Sequence, residues 1–120
     1  AHPLIGATEA GEVAAAVLSA FRRAGDPVVH VQHVWDAPDA TFMRPGTPGV
    51  QINPAVAPTA GEPVVTKAEP NAFIGTDLGR RLDRTGTLVV MGMMTSMCID
   101  STVRAAAGDA LAKIRAGRKP

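Results

Sequence analysis

Residues 87 to 107 read Thr-Leu-Val-Val-Met-Gly-Met-Met-Thr-Ser-Met-Cys-Ile-Asp-Ser-Thr-Val-Arg-Ala-Ala-Ala and contain the only cysteine of the chain, Cys98. The run Leu88, Val89, Val90, Met91 is continuously apolar and bounded by Gly86 and Gly92, the pattern of a strand covered on both faces in a parallel sheet. With Thr95 or Ser96 as N-cap, Ile99, Val103 and Ala106 or Ala107 then repeat at helical spacing. Cys98 therefore falls in the first turn of a helix that follows a buried strand. Unpaired backbone N–H groups and the positive end of the helix dipole favour an anion there, which lowers a thiol's pKa and can hold a developing oxyanion. Free cysteine is also among the most buried residue types and serves as a small hydrophobe. Position alone leaves both readings open.

Working outward, the chain repeats the alternation of helix and strand. Thr8 is placed as an N-cap with Glu9 and Glu12 in the first turn, and Val13, Val17, Leu18 and Phe21 with Ala14, Ala20 and Ala24 form an apolar stripe that ends at Gly25. After the turn at Asp26 and Pro27, residues 28 to 34 read as a parallel strand with His30, Gln32 and His33 among its valines. Residues 35 to 62 form a long connection rich in proline and glycine, of the kind that is functional or disordered. A short strand at 63 to 66 ends at Lys67, and a short helix from about Thr76 to Arg84 is closed by Gly86. Beyond Ala107 the sequence stays helical past an interruption at Gly108, with Ala110, Leu111 and Ile114 on one side, until Gly117 and Pro120 stop it.

A chain of 120 residues is one small domain, 1–120, and its 46% hydrophobic and 19% charged content is that of a soluble globular protein. No apolar run reaches the length of a membrane span. The net charge of +1 argues against a nucleic-acid partner, and Arg115, Arg118 and Lys119 read as a solvated C-terminal tail. With one cysteine and no leader-like N-terminus, the expected compartment is the cytoplasm.

Several stretches carry a specific likeness. The segment from Val89 to Arg104, together with Arg-Pro-Gly-Thr-Pro-Gly at 44–49, Ile-Asn-Pro-Ala-Val-Ala-Pro at 52–58 and Gly-Glu-Pro-Val-Val-Thr-Lys-Ala-Glu-Pro-Asn-Ala-Phe-Ile-Gly-Thr-Asp-Leu at 61–78, resembles the isochorismatase-like cysteine hydrolases. That family includes nicotinamidases, N-carbamoylsarcosine amidases and isochorismatase, and the likeness covers roughly residues 8 to 107. It implies a three-layer α/β/α, Rossmann-like fold with a mostly parallel sheet, and an ordered long loop. It also implies a cysteine hydrolase acting on a small amide-type or vinyl-ether substrate, without a cofactor. Cys98 matches the family's nucleophile and Lys67 the lysine that favours ionised states. In a parallel sheet such strand ends converge on one edge. The family's non-proline cis peptide would join Met93 to Met94, with an oxyanion hole made by the N–H groups of Met94 and Cys98. Phe73 resembles the aromatic wall of the family's substrate pocket, and a core role is equally open to it; Trp35 has the same two readings.

The sequence departs from the family in two places. The family's catalytic aspartate ends a first strand that no segment here matches, and the last strands have no counterpart after the nucleophile helix. The chain therefore reads as a family member shortened at both ends, with strands at 28–34, 63–66 and 87–93. Asp36, Asp39, Glu69 and Asp100 are candidate replacement acids, and Asp100 reads rather as a partner of the helix dipole. His30, His33 and Asp36 lack the metal-binding spacing of the nicotinamidases, so no metal is expected, and the histidines are expected to bond neighbouring carbonyls. A sheet lacking neighbours exposes apolar surface and favours a homo-oligomer. The competing reading is a catalytically silent fragment or pseudoenzyme stabilised by self-association. A thiol redox sensor is weaker, because no second cysteine exists to resolve it.

Overall fold

The computed structural model describes residues 4–116, which form two compact units divided between Thr66 and Lys67. Arg118 and Lys119 of the expected basic tail, the stop at Gly117 and Pro120, and the side chains of Leu111, Ile114 and Arg115 lie outside the described residues. No helix among the described residues is long and apolar enough to cross a membrane.

The first unit opens with helix α1, Ala7–Ala24. Its N-cap is Gly6 at φ 71° rather than Thr8, so the helix begins before the hydroxyl expected to start it. Gly25, at φ 73°, ends α1 as expected, its N–H returning to the Arg22 carbonyl. The buried face of α1 is narrower than the apolar stripe suggests. Gly11 and Leu18, two helical turns apart, are buried, whereas Val13 is 66% exposed and Ala20 and Ala24 are also exposed. At about 100° per residue, Val13 lies on the opposite side of the helix from Gly11. α1 packs on the short 3-10 turn Pro54–Val56, whose Asn53 side chain accepts the Ala55 N–H.

Two parallel strands follow, β1 His30–His33 and β2 Val64–Lys67, both about as expected but shifted by a residue or more. The His30 N–H donates to the Pro63 carbonyl at 2.9 Å, setting the register. Within β1, His30 is buried while Val31 is 39% exposed. Strand alternation puts Val65 and Lys67 of β2 on one buried face, with Val64 and Thr66 exposed. The connection from 35 to 62 is ordered. It carries 3-10 turns at Pro48–Val50 and Pro54–Val56, and Gln32 of β1 donates to the Val50 carbonyl at 2.6 Å.

The second unit holds a loop from Ala68, the one-turn helix α2 at Leu78–Arg81, and α3 at Asp100–Arg115. α2 is shorter than the helix expected over 76–84. Thr76 lies before it, its hydroxyl donating to the Ala72 carbonyl at 2.5 Å and accepting the Leu78 N–H at 3.3 Å, and a turn closed by Thr85 N–H to Leu82 O follows. Leu78 is the buried anchor.

The expected strand at 87–93 is overturned. These residues are not part of the sheet, which among the described residues consists of β1 and β2, and Leu88, Val89, Met91 and Met93 are 40–53% exposed. A strand is defined by its backbone pairing, and apolar side chains alone do not supply a partner. α3, by contrast, runs through Gly108 without interruption.

Candidate active site

The route to Cys98 passes through a cis peptide bond between Met93 and Met94, the position expected for it. Gly92, at φ 148°, precedes it, and a Cβ there would approach Ile99 Cδ1 to 3.2 Å. The chain then makes a single π-turn, Thr95–Ile99, before α3. This corrects the expected cap: neither Thr95 nor Ser96 caps the helix. Met94 opens the turn, and its carbonyl accepts both Met97 N–H and Ile99 N–H at 3.2 Å. Cys98 thus sits in a wide turn just before α3 rather than in its first regular turn. Such π-turns widen the backbone and are frequent at functional sites. The N–H groups expected as oxyanion donors, those of Met94 and Cys98, belong to the opening residue and the body of this one turn.

Lys67 reaches the same place from the end of β2. It is only 6% exposed, and its Nζ lies 3.2 Å from Cys98 Sγ. Nζ also donates to the carbonyls of Glu69 at 2.8 Å and Pro70 at 3.0 Å. The Lys67 amine thus has hydrogen-bond partners on Cys98 and on the loop after β2, as burial of a polar group requires. The pair expected from the sequence is therefore in contact.

The loop between them is held by further bonds. Asn71 Oδ1 accepts the Phe73 N–H at 3.0 Å, and the Ala72 N–H donates to Thr102 Oγ1 at 3.1 Å. Thr102 is a residue the sequence reading passed over. Its signal was a hydroxyl one turn beyond the cysteine, but its partners are backbone groups that no side-chain pattern reveals. Phe73 lines an open groove of about 650 Å³ together with Arg80, Asp109 and Lys113, a groove that neither Cys98 nor Lys67 lines. Lys113 is held above the usual lysine range by the carboxylate of Asp109 at 3.0 Å and then by that of Asp83 at 3.1 Å. Asp100 accepts from Arg104 at 2.9 Å through both carboxylate oxygens, in keeping with a helix-start partner.

In the first unit, Trp35 packs edge-on against Phe42, with ring centroids 5.3 Å apart, and its backbone N–H donates to the Met43 carbonyl at 2.8 Å. His30 corrects the carbonyl expected for the strand histidines: its Nε2 meets the Glu62 carboxylate at 2.7 Å. Glu62 in turn takes two 2.7 Å bonds from Arg22, and the guanidinium holds this carboxyl far below the usual carboxylate range. A carboxylate wins over a carbonyl here because charge-assisted bonds are the stronger ones.

The comparisons with known proteins bear on the whole of this arrangement. The Isochorismatase domain profile matches residues 5–111. The isochorismatase family protein YddQ of Bacillus subtilis is 48% identical over 100 residues, 82% of this chain and 56% of its own length. Maleamate amidohydrolase of Pseudomonas putida is 37% identical over 121 residues, covering 88% of this chain and 55% of its own. A crystal structure assigned as an isochorismatase hydrolase, from Oleispira antarctica, superposes with a TM-score of 0.82 at 46% identity, over 88% of this chain and 56% of that one. The chain spans about half the length of the curated relatives it matches. Its α/β, Rossmann-like class is that of its structural neighbours, as expected. With a match that runs through β2, the Lys67–Cys98 contact and α3 alike, this chain belongs to the isochorismatase family of hydrolases.

Proposed function

We propose that the protein is a cysteine hydrolase for small amide-type or vinyl-ether substrates, with Cys98 as nucleophile and Lys67 as its supporting cation. The observation that carries this reading is the 3.2 Å approach of a buried ammonium to the only thiol in the chain. For an amide, Sγ forms a bond to the carbonyl carbon while the π electrons move to oxygen. The N–H groups of Met94 and Cys98 are the assigned donors to that oxyanion. Collapse breaks the C–N bond, the amine leaves with a proton, and water then cleaves the thioester to acid and free thiol. Maleamate amidohydrolase, named for amide cleavage, supports the amide class.

Cleavage of the C–N bond calls for proton delivery to the leaving amine. Acylation by an ester with a good leaving group does not need it, and amide turnover does. Incubation with 4-nitrophenyl acetate followed by intact-mass and peptide mapping tests the assignment. One acetyl group on Cys98, absent from Cys98→Ser, is the expected result. An unmodified Cys98, or acetyl distributed over lysines alone, overturns it.

A second reading is favoured by the exposure of Leu88, Val89, Met91, Met93, Met94 and Met97, six large apolar side chains within ten residues. We assign this surface to self-association, making the chain a homo-oligomer that is catalytically silent wherever proton delivery is lacking. A thiol nucleophile of this kind is kept reduced in the cytoplasm, the compartment we assign.

A further inference from the structure

We infer that Thr102 is a positioning residue that holds Lys67 against Cys98, an inference that rests on the nucleophile assignment above. Thr102 lies on α3, one helical turn beyond Cys98, and is 8% exposed. A threonine inside a helix ordinarily turns its hydroxyl back to the carbonyl four residues earlier. Thr102 does not. Its Oγ1 accepts the Ala72 N–H at 3.1 Å and donates to the Pro70 carbonyl at 3.4 Å, so both bonds leave the helix for the loop.

The Pro70 carbonyl is the link. It is one of the oxygens that hold Lys67 Nζ, at 3.0 Å, and Glu69 beside it supplies another at 2.8 Å. The hydroxyl of Thr102 therefore fastens the acceptors of the lysine to the helix that follows the nucleophile. Two side chains arriving from different elements, β2 and the π-turn, keep a 3.2 Å separation because the loop after β2 is tied to α3. Removing the hydroxyl leaves Ala72 N–H and Pro70 O without that tie, and the lysine moves with its carbonyls.

The test is the rate of Cys98 alkylation by iodoacetamide at neutral pH in the 120-residue chain, for wild type, Lys67→Met, Thr102→Val, Thr102→Ser and the Lys67→Met/Thr102→Val pair. Thr102→Val is expected to slow alkylation about tenfold, corresponding to about 1.4 kcal/mol in the barrier. Thr102→Ser is expected to stay within about twofold of wild type, since a rescue by the hydroxyl alone separates bonding from packing. In the Lys67→Met background Thr102→Val is expected to add nothing, as required of two residues acting through one contact. A Thr102→Val rate equal to wild type, full multiplication of the two effects, or a Thr102→Ser as slow as Thr102→Val overturns the inference. Should Thr102→Val fail to fold, Thr102→Ala beside Thr102→Ser gives the same comparison. A Lys67→Met rate equal to wild type removes the Cys98–Lys67 reading itself, whereas a slow Lys67→Met with multiplying effects removes only the role of Thr102.

Discussion

At the scale of single residues, the two units each place a charged group where it is fully used. Glu62 binds Arg22 in bidentate fashion, His30 through Nε2, and the Thr59 N–H at 3.0 Å. Arg22 reaches on to the Ala57 carbonyl at 2.9 Å, so one carboxylate joins α1, β1 and the turn before β2. Its folded pKa is depressed, first by the Arg22 bonds and then by the Thr59 N–H. The sign follows from linkage. The stabilisation is complete above the unfolded carboxyl's ordinary value of about 4.3, and is lost as pH falls below it towards the folded value. The difference in unfolding free energy between wild type and Glu62→Gln is therefore expected to shrink as pH drops from about 6 to about 3. Urea titrations at the two pH values measure it, and a constant or growing difference contradicts the assignment.

At the scale of elements, glycine marks which backbone is constrained and which is merely permissive. Gly108 stands inside α3 with no atom within 4 Å of a built Cβ, so its lack of a side chain serves no close approach. Gly108→Ala is expected to raise stability by about 0.5–1 kcal/mol, the usual gain in a helix interior. Gly92 is the opposite case, with φ 148° and Ile99 Cδ1 at 3.2 Å from its built Cβ. Gly92→Ala is expected to lower stability by roughly 1–3 kcal/mol and to disturb the π-turn that carries Cys98. Denaturation midpoints of the two variants should move in opposite directions, and parallel shifts refute the distinction.

At the scale of the whole chain, the stretch with the strongest strand signal is left outside the sheet, and its Leu88, Val89, Met91 and Met93 are exposed. With a net charge of only +1, little electrostatic repulsion opposes contact between copies. Sedimentation velocity across a concentration series is expected to show association, and the double variant Val89→Glu/Met91→Glu is expected to shift the distribution towards monomer. A wild type that is monomeric at every concentration sinks the oligomer assignment.

The two side chains proposed for the site were legible in local order. A cysteine placed between a strand-like run and a helix, and a lysine at the end of a valine-rich strand, are properties of neighbouring residues, as is the α1 stop at Gly25. Other features were not legible, because they depend on atoms far apart in sequence. His30 is buried because Glu62 arrives 32 residues later, Val13 is exposed because of which face of α1 meets its neighbour, and residues 87–93 fall outside the sheet because a strand is made by its partner. Residue order alone carried the α/β class, and through the family likeness it singled out Cys98 and Lys67 as the pair to look for. Only the tertiary structure decided that Cys98 sits in a π-turn and that Thr102 ties Pro70 to α3, because backbone carbonyls and N–H groups choose their partners in space and leave no trace in residue type.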